Sequence, residues 1–159
     1  MRLTKLAAIA ALAFATALPA SALTVEANIS PEFQKKLERE YGVREAKYLT
    51  ESLTKKVEAV FTARGVKAER VTVTIEDALP NRPTLQQVSD KPGLDMIGSI
   101  SIGGARVTGT AYDASGRELG SLDYNWYETD LGNVITATTW TDARWTFDRF
   151  ARRFADKLT

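Results

Sequence analysis

The chain of 159 residues contains no histidine and no cysteine. Together those two absences exclude the Ser-His-Asp triad and the Cys-His nucleophile. They also exclude the usual zinc and copper sites, which are built on imidazole and thiolate. Disulfides are impossible, so a hydrophobic core has to stabilise the fold unaided. What remains is carboxylate chemistry, a Ser-Lys pair, or a hard metal held by oxygens. No pattern in the sequence implies a cofactor.

Long apolar runs are scarce as well. The one that stands out follows Arg2 and Lys5, spans residues 6–18, and ends before the small residues Ala20, Ser21 and Ala22. A positive start, a short apolar stretch and a small-residue processing site read as a secretory signal peptide over residues 1–22, cleaved after Ala22. The stretch is too short to span a bilayer comfortably. No cysteine follows the cleavage site to carry a lipid, and no second run is long enough for a transmembrane segment. Residues 23–159 are therefore expected to form one domain in the periplasm. Without Arg2 and Lys5, 19 basic residues face 20 acidic ones. Such near-neutrality gives no footing for nucleic-acid binding or for strong attraction to anionic lipid.

The organising stretch is residues 97–127. Asp113-Ala114-Ser115-Gly116 has the composition of a type I turn. Closing it with Asp113 opposite Gly116 sets Arg106 against Asp123, Thr108 against Ser121 and Tyr112 against Arg117. The other face then pairs Val107 with Leu122, Ala105 with Tyr124 and Gly103 with Trp126. One face is wet and one apolar, as a half-buried antiparallel sheet requires, and a one-residue slip would set Val107 against Asp123. In this register Gly109 faces Gly120, leaving a notch on the apolar face. That notch is either a small ligand pocket or the place where a helix bearing large aromatics packs. Gly103-Gly104 reads as a bulge or bend after a short strand over residues 100–102.

Around this sheet the pattern predicts a first strand from Leu23 to Ile29, by its alternation. Ser30-Pro31-Glu32 then starts a helix, with a Ser cap and Pro at the first position. Gly42 ends or kinks it. A second helix covers residues 44–64, with Ala46, Leu49, Leu53, Val57, Val60 and Phe61 on one stripe. Residues 71–75 alternate as a β-branched strand. The stretch 78–83, with Pro80 and Pro83, is expected to leave regular structure. It opens a long connection, with one helical turn near residues 84–88, in which Arg82, Gln86, Gln87 and Lys91 are candidate polar contacts. Residues 134–138 fit either a short strand or a lead-in to the last helix. That helix covers 141–158, with Phe147, Phe150 and Phe154 facing the sheet and Trp145 one turn before Arg149, placed to stack under its guanidinium.

Asp113, Glu118, Glu128, Asp130 and Asp142 are the acids near the sheet rim. A glycosidase needs two carboxylates about 5–10 Å apart across a sugar, one of them with a raised pKa. Asp130 with Asn133 is a fragment of a calcium loop without its spaced acids or closing Glu.

The run Ser101-Ile102-Gly103-Gly104-Ala105-x-Val107, then Asp113-x-x-Gly116, Tyr124-x-Trp126 and Trp140-x-Asp142-Ala143 with residues 147–158, resembles exported proteobacterial proteins of unknown function. In those proteins a GGA strand, a D-x-x-G turn and a terminal F-x-x-F-A helix recur. More distantly it is similar to small envelope α/β domains of transport-auxiliary and curli-secretion-like lipoproteins. The resemblance implies a fold and no catalytic residue. The lipid-bearing cysteine of those lipoproteins is absent here.

The expected architecture is α+β: a two-layer sandwich with an antiparallel sheet of about four or five strands and helices on one face. The leading functional expectation is a non-enzymatic exported accessory or binding module with an envelope protein partner. A carboxylate-dependent hydrolase of cell-wall glycan and a carrier of small apolar ligands are the alternatives. An apolar surface left over beyond the core would mark the accessory protein.

Overall fold

A computed structural model describes residues 22–159; the leader read in the sequence lies outside the described residues except for Ala22. In chain order the elements are β1 (Thr24–Ile29), α1 (Pro31–Lys36), α2 (Arg44–Ala63), β2 (Arg70–Leu79), α3 (Leu85–Asp90), β3 (Gly104–Tyr112), β4 (Glu118–Tyr127) and α4 (Thr141–Leu158). A single π-helical turn, Leu37–Tyr41, continues α1, and a 3-10 turn, Leu131–Val134, follows β4.

The four strands lie side by side in the order β1-β2-β3-β4, so the α+β class holds. The sheet is mixed, however, because β1 runs parallel to β2 while the other two pairs are antiparallel. The reason is the connection: two helices separate β1 from β2, and a crossover of that length returns the chain in the same direction.

Ser30 caps α1 by accepting the Phe33 N–H at 3.2 Å, and its own hydroxyl donates to the Glu76 carbonyl. Gly42 terminates the π turn with φ of 98°, a backbone state that favours glycine. α2 buries Leu49, Leu53, Val57 and Phe61, and α4 buries Phe147, Phe150, Ala151 and Phe154. These stripes meet Val71, Val73 and Ile75 of β2 and Val107 and Ala111 of β3 in one core. Phe154 packs edge-on against Phe61 with ring centroids 5.5 Å apart. Each buried Phe contributes on the order of 2–3 kcal/mol of hydrophobic stabilisation.

β2 runs four residues past the expected strand. A bulge at Glu76 absorbs one residue between Ile75 and Asp77, after which Ala78 and Leu79 pair with Ala105 and Gly104. Proline ends the strand only at Pro80, because a missing N–H matters only where a ladder bond is due. Residues 100–102 form no strand. Ser101 is bonded instead to the turn at Pro80 and Asn81, through its N–H (2.8 Å) and its hydroxyl (2.6 Å).

The β3–β4 hairpin differs from the expected register by two residues. Asp113 pairs with Arg117 around a three-residue loop, and Gly116 takes φ of 81°. A second extra residue, Leu119, bulges out between Tyr112↔Glu118 and Ala111↔Gly120. Two one-residue additions restore the parity, so the wet and apolar faces are as expected while every partner changes. Val107 faces Tyr124, Ala105 faces Trp126, and Gly109 faces Leu122. The Arg106–Asp123 ion pair survives on the diagonal at 2.6 Å.

Candidate functional site

Two long connections, residues 80–103 and 128–140, meet at the end of the sheet where β2 finishes and β3 begins. Each is built from a carboxylate turn. The Asp95 carboxylate accepts the N–H groups of Ile97 (2.5 Å) and Gly98 (2.7 Å), and the Ser99 hydroxyl oxygen accepts the Asp95 N–H. The Asp130 carboxylate accepts the Gly132 N–H at 2.8 Å and opens the 3-10 turn. The Glu128 carboxylate accepts the N–H groups of Thr129 and Asp130. Amide donors favour the ionised form, so Asp95 and Glu128 are both held below the usual carboxylate range: Asp95 by Gly98 and Ile97, Glu128 by Asp130 and Thr129.

Arg82 ties the two connections together. Its guanidinium donates to the carbonyls of Ala137 (2.6 Å) and Ile135 (2.6 Å), and also to that of Ile97. Five N–H donors in a planar fork suit this three-carbonyl task, which an ammonium could not perform. Beneath it lies a buried polar knot. The Asn81 amide donates to Asp142 Oδ2 at 2.5 Å and accepts the Asp142 N–H at 2.9 Å, while the Gly103 N–H reaches the same carboxylate oxygen at 3.1 Å.

With their backbones committed in this way, the two connections turn aliphatic side chains outward. Met96, Ile97, Ile102, Leu131 and Ile135 are all exposed, Ile97 to 83% and Ile135 to 64%. Ile97 and Ile135 share the Arg82 guanidinium through their carbonyls, so they are neighbours. Exposed large apolar side chains on two adjoining connections make this end of the fold the candidate docking surface. Sequence periodicity could not reveal it, because neither connection has a period. The residue types were visible; the meeting of Ile97 and Ile135 around Arg82 was not.

The other candidate residues have structural positions. Gln87 forms a capping box with Thr84, and the Gln86 side chain donates to Asp90. Arg82, Gln87 and Lys91 line one shallow groove of about 270 Å³ with Pro80, Leu94 and Ser101, whereas Gln86 belongs to a different hollow beside Tyr41. The facing glycine pair does not form, because the turn and the bulge shift the register. Gly109 is covered by α4 instead, where a Cβ would lie 2.7 Å from Phe150 Cζ, and Gly120 lies beside Leu158. Gly103 is not under Trp126; its position faces the Asn81 side chain. Trp145 does not stack on Arg149, which lies 4.0 Å over the Trp126 ring instead.

Of the acids, Asp113 stays in its turn, where the Ser115 hydroxyl, ahead of the Arg117 and Ser115 amides, holds it below the usual range. Glu118 lies on β4 opposite Tyr112. Glu128 and Asp142 both bond to Gly103, Glu128 through its N–H and Asp142 through its carboxylate, while Asp130 is engaged by the Gly132 N–H. Glu128 is held ionised, however, and Asp142 is almost fully buried. A general acid needs the opposite shift. Among the described residues no three metal-ligating side chains converge. No helix there is long and apolar enough to cross a membrane.

No protein-family model matches the chain, and no curated protein matches it. Among solved structures it is similar to a "putative lipoprotein" from Caulobacter crescentus CB15, at 14% identity over 87% of this chain and 88% of that one, with a TM-score of 0.37. A likeness at that level carries no functional argument.

Proposed function

We propose that the chain is an exported, non-enzymatic envelope protein that docks on a protein partner through its loop end. The observation that carries this reading is the set of aliphatics, Ile97 and Ile135 foremost, held outward by Asp95, Asp130 and Arg82. A protein partner fits better than a lipid bilayer. Asp95 stands two residues from Ile97 and is held ionised, and an ionised carboxylate opposes insertion into lipid. An apolar centre with charged residues at its rim is the usual anatomy of a protein interface. Export rests on the leader read in residues 1–22, and a non-enzymatic role rests on the missing histidine and cysteine.

The test is a photo-cross-linking residue placed at Leu131, or at the exposed Tyr48 on α2, in cells secreting the protein. A discrete adduct is expected from Leu131 and not from Tyr48, and Ile97→Asp with Ile135→Asp should abolish it without changing the melting temperature. Equal adducts from both positions, or none from Leu131, would sink the proposal.

A further inference from the structure

A second surface, on the outer side of the helical layer, shares no lining residue with the loop end. Between α2 and α4 lies a groove of about 400 Å³ lined by Lys56, Arg144, Trp145, Asp148, Arg149 and Arg152. That volume lies in the range of about 300–1,000 Å³ typical of small-molecule sites. We infer that this groove binds an acidic saccharide, with a sugar ring laid on Trp145 and its carboxylate held by the surrounding arginines.

Trp145 is the first reason. The other two tryptophans have partners: Trp140 donates to Glu45 at 2.6 Å and meets Tyr41 edge-on, and Trp126 lies under Arg149. Trp145 is 53% exposed and contacts no aromatic ring or cation of the described residues at stacking distance. A flat apolar ring at the edge of a polar hollow suits a ligand with one apolar flat face and polar edges, and a pyranose is such a ligand.

Charge is the second. Four cations line the groove against one carboxylate, and Asp148 is already bonded twice, to Lys56 at 3.3 Å and to Arg152 at 2.7 Å. The groove therefore keeps an excess of positive charge although the whole chain is close to neutral. Those bonds also hold Lys56 and Arg152 in place, and the Trp126 ring holds Arg149. Side chains already ordered lose little entropy when an anion binds, and guanidinium groups match carboxylates in geometry.

The shape decides against a membrane. A surface helix that enters lipid needs an apolar face, and here one indole stands among charges in a concavity. The inference does not rest on the loop-end reading, and failure of either leaves the other standing.

The experiment titrates the full-length secreted protein with three acidic oligosaccharides: oligogalacturonate, oligomannuronate, and a muropeptide disaccharide. Cellohexaose serves as the neutral comparator, and binding is read by tryptophan emission and calorimetry at low and high salt. At least one acidic oligosaccharide should bind saturably and more weakly in high salt, and cellohexaose should not. Trp145→Ala should abolish binding, and Arg144→Gln should weaken it about tenfold, as loss of one charge-assisted hydrogen bond would. Both side chains are exposed, so melting temperatures should stay within a degree or two, which separates a lost site from a lost fold. The inference is overturned if no acidic oligosaccharide binds, if cellohexaose binds equally, or if Trp145→Ala binds as the parent does. Binding only to phosphatidylglycerol vesicles overturns it in favour of a lipid surface.

Discussion

Asn81 shows how much one side chain can hold. Its backbone N–H donates to Thr139, its carbonyl accepts from Ser101, and its amide saturates Asp142. It joins three segments that lie far apart in sequence, and it is fully buried. Removing it would leave the Asp142 carboxylate with the backbone N–H of Gly103 as its remaining donor. Asn81→Ala should therefore cost about 3 kcal/mol in urea unfolding, the range for an abandoned buried charge. Asn81→Asp should do no better, because it sets a second carboxylate against the first. None of this was legible in the sequence, where Asn81 appears only as a turn residue between two prolines. A hydrogen bond across 61 positions has no local signature. Gly109 is the converse case: the absence of a side chain was visible, and so was the prospect of a helix with large aromatics filling the space. Only its partner across the strands differs, Leu122 in place of Gly120.

At the level of elements, α4 was readable almost to the residue, because its period and its apolar stripe agree. Its manner of docking was not. Arg149 and Arg153 lie over the rings of Trp126 and Tyr124, at 4.0 and 4.9 Å. Four residues of helix rise about 6 Å and two residues of strand about 6.7 Å, so the two stacks align. The motif is legible once the strand and helix are known to be neighbours, and not before. The two long connections are likewise held by something other than periodicity. Arg82→Gln should leave the strands intact but free residues 94–103 and 131–139, raising hydrogen-exchange rates of the Ser101 and Ala137 amides by about tenfold. Arg82→Lys should behave like Arg82→Gln, since one ammonium cannot span three carbonyls.

For the molecule as a whole, the missing histidine fixes the pH profile. No side chain ordinarily titrates between about pH 5 and pH 8, so stability should be flat across that window. Below it, Asp95, Asp113, Asp123, Glu128 and Asp148 all have pKa values depressed by amide, hydroxyl or cationic partners. A depressed group contributes stability above its unfolded pKa of about 4 and loses it as pH falls through the folded value. Stability should therefore decline as the pH falls below about 4. At the alkaline end Tyr41 and Tyr127 are raised chiefly by burial, and Lys36 is raised by its bond to Asp77 against desolvation that lowers it. Stability from these groups is present below about pH 10 and is lost as pH rises through their folded values. Melting temperatures measured from pH 3 to pH 11 should trace a plateau with two shoulders; a step near pH 6.5 would contradict this account.

The hairpin between β3 and β4 carries a consequence for how such chains can diverge. Its loop and its bulge each house one extra residue, and beyond them Tyr124 and Trp126 lie on the side of α4. Deleting a loop residue or Leu119 would remove the extra residue along with the loop or bulge position that houses it, so Val107 would stay opposite Tyr124. A length change inside the ladder, between Gly120 and Tyr124, has no such outlet: it would set Asp123 or Asn125 against Val107 and turn the rest of the strand inside out. Length changes at this hairpin should accordingly be inherited at the loop and the bulge, singly or together, and be absent from the ladder beyond them.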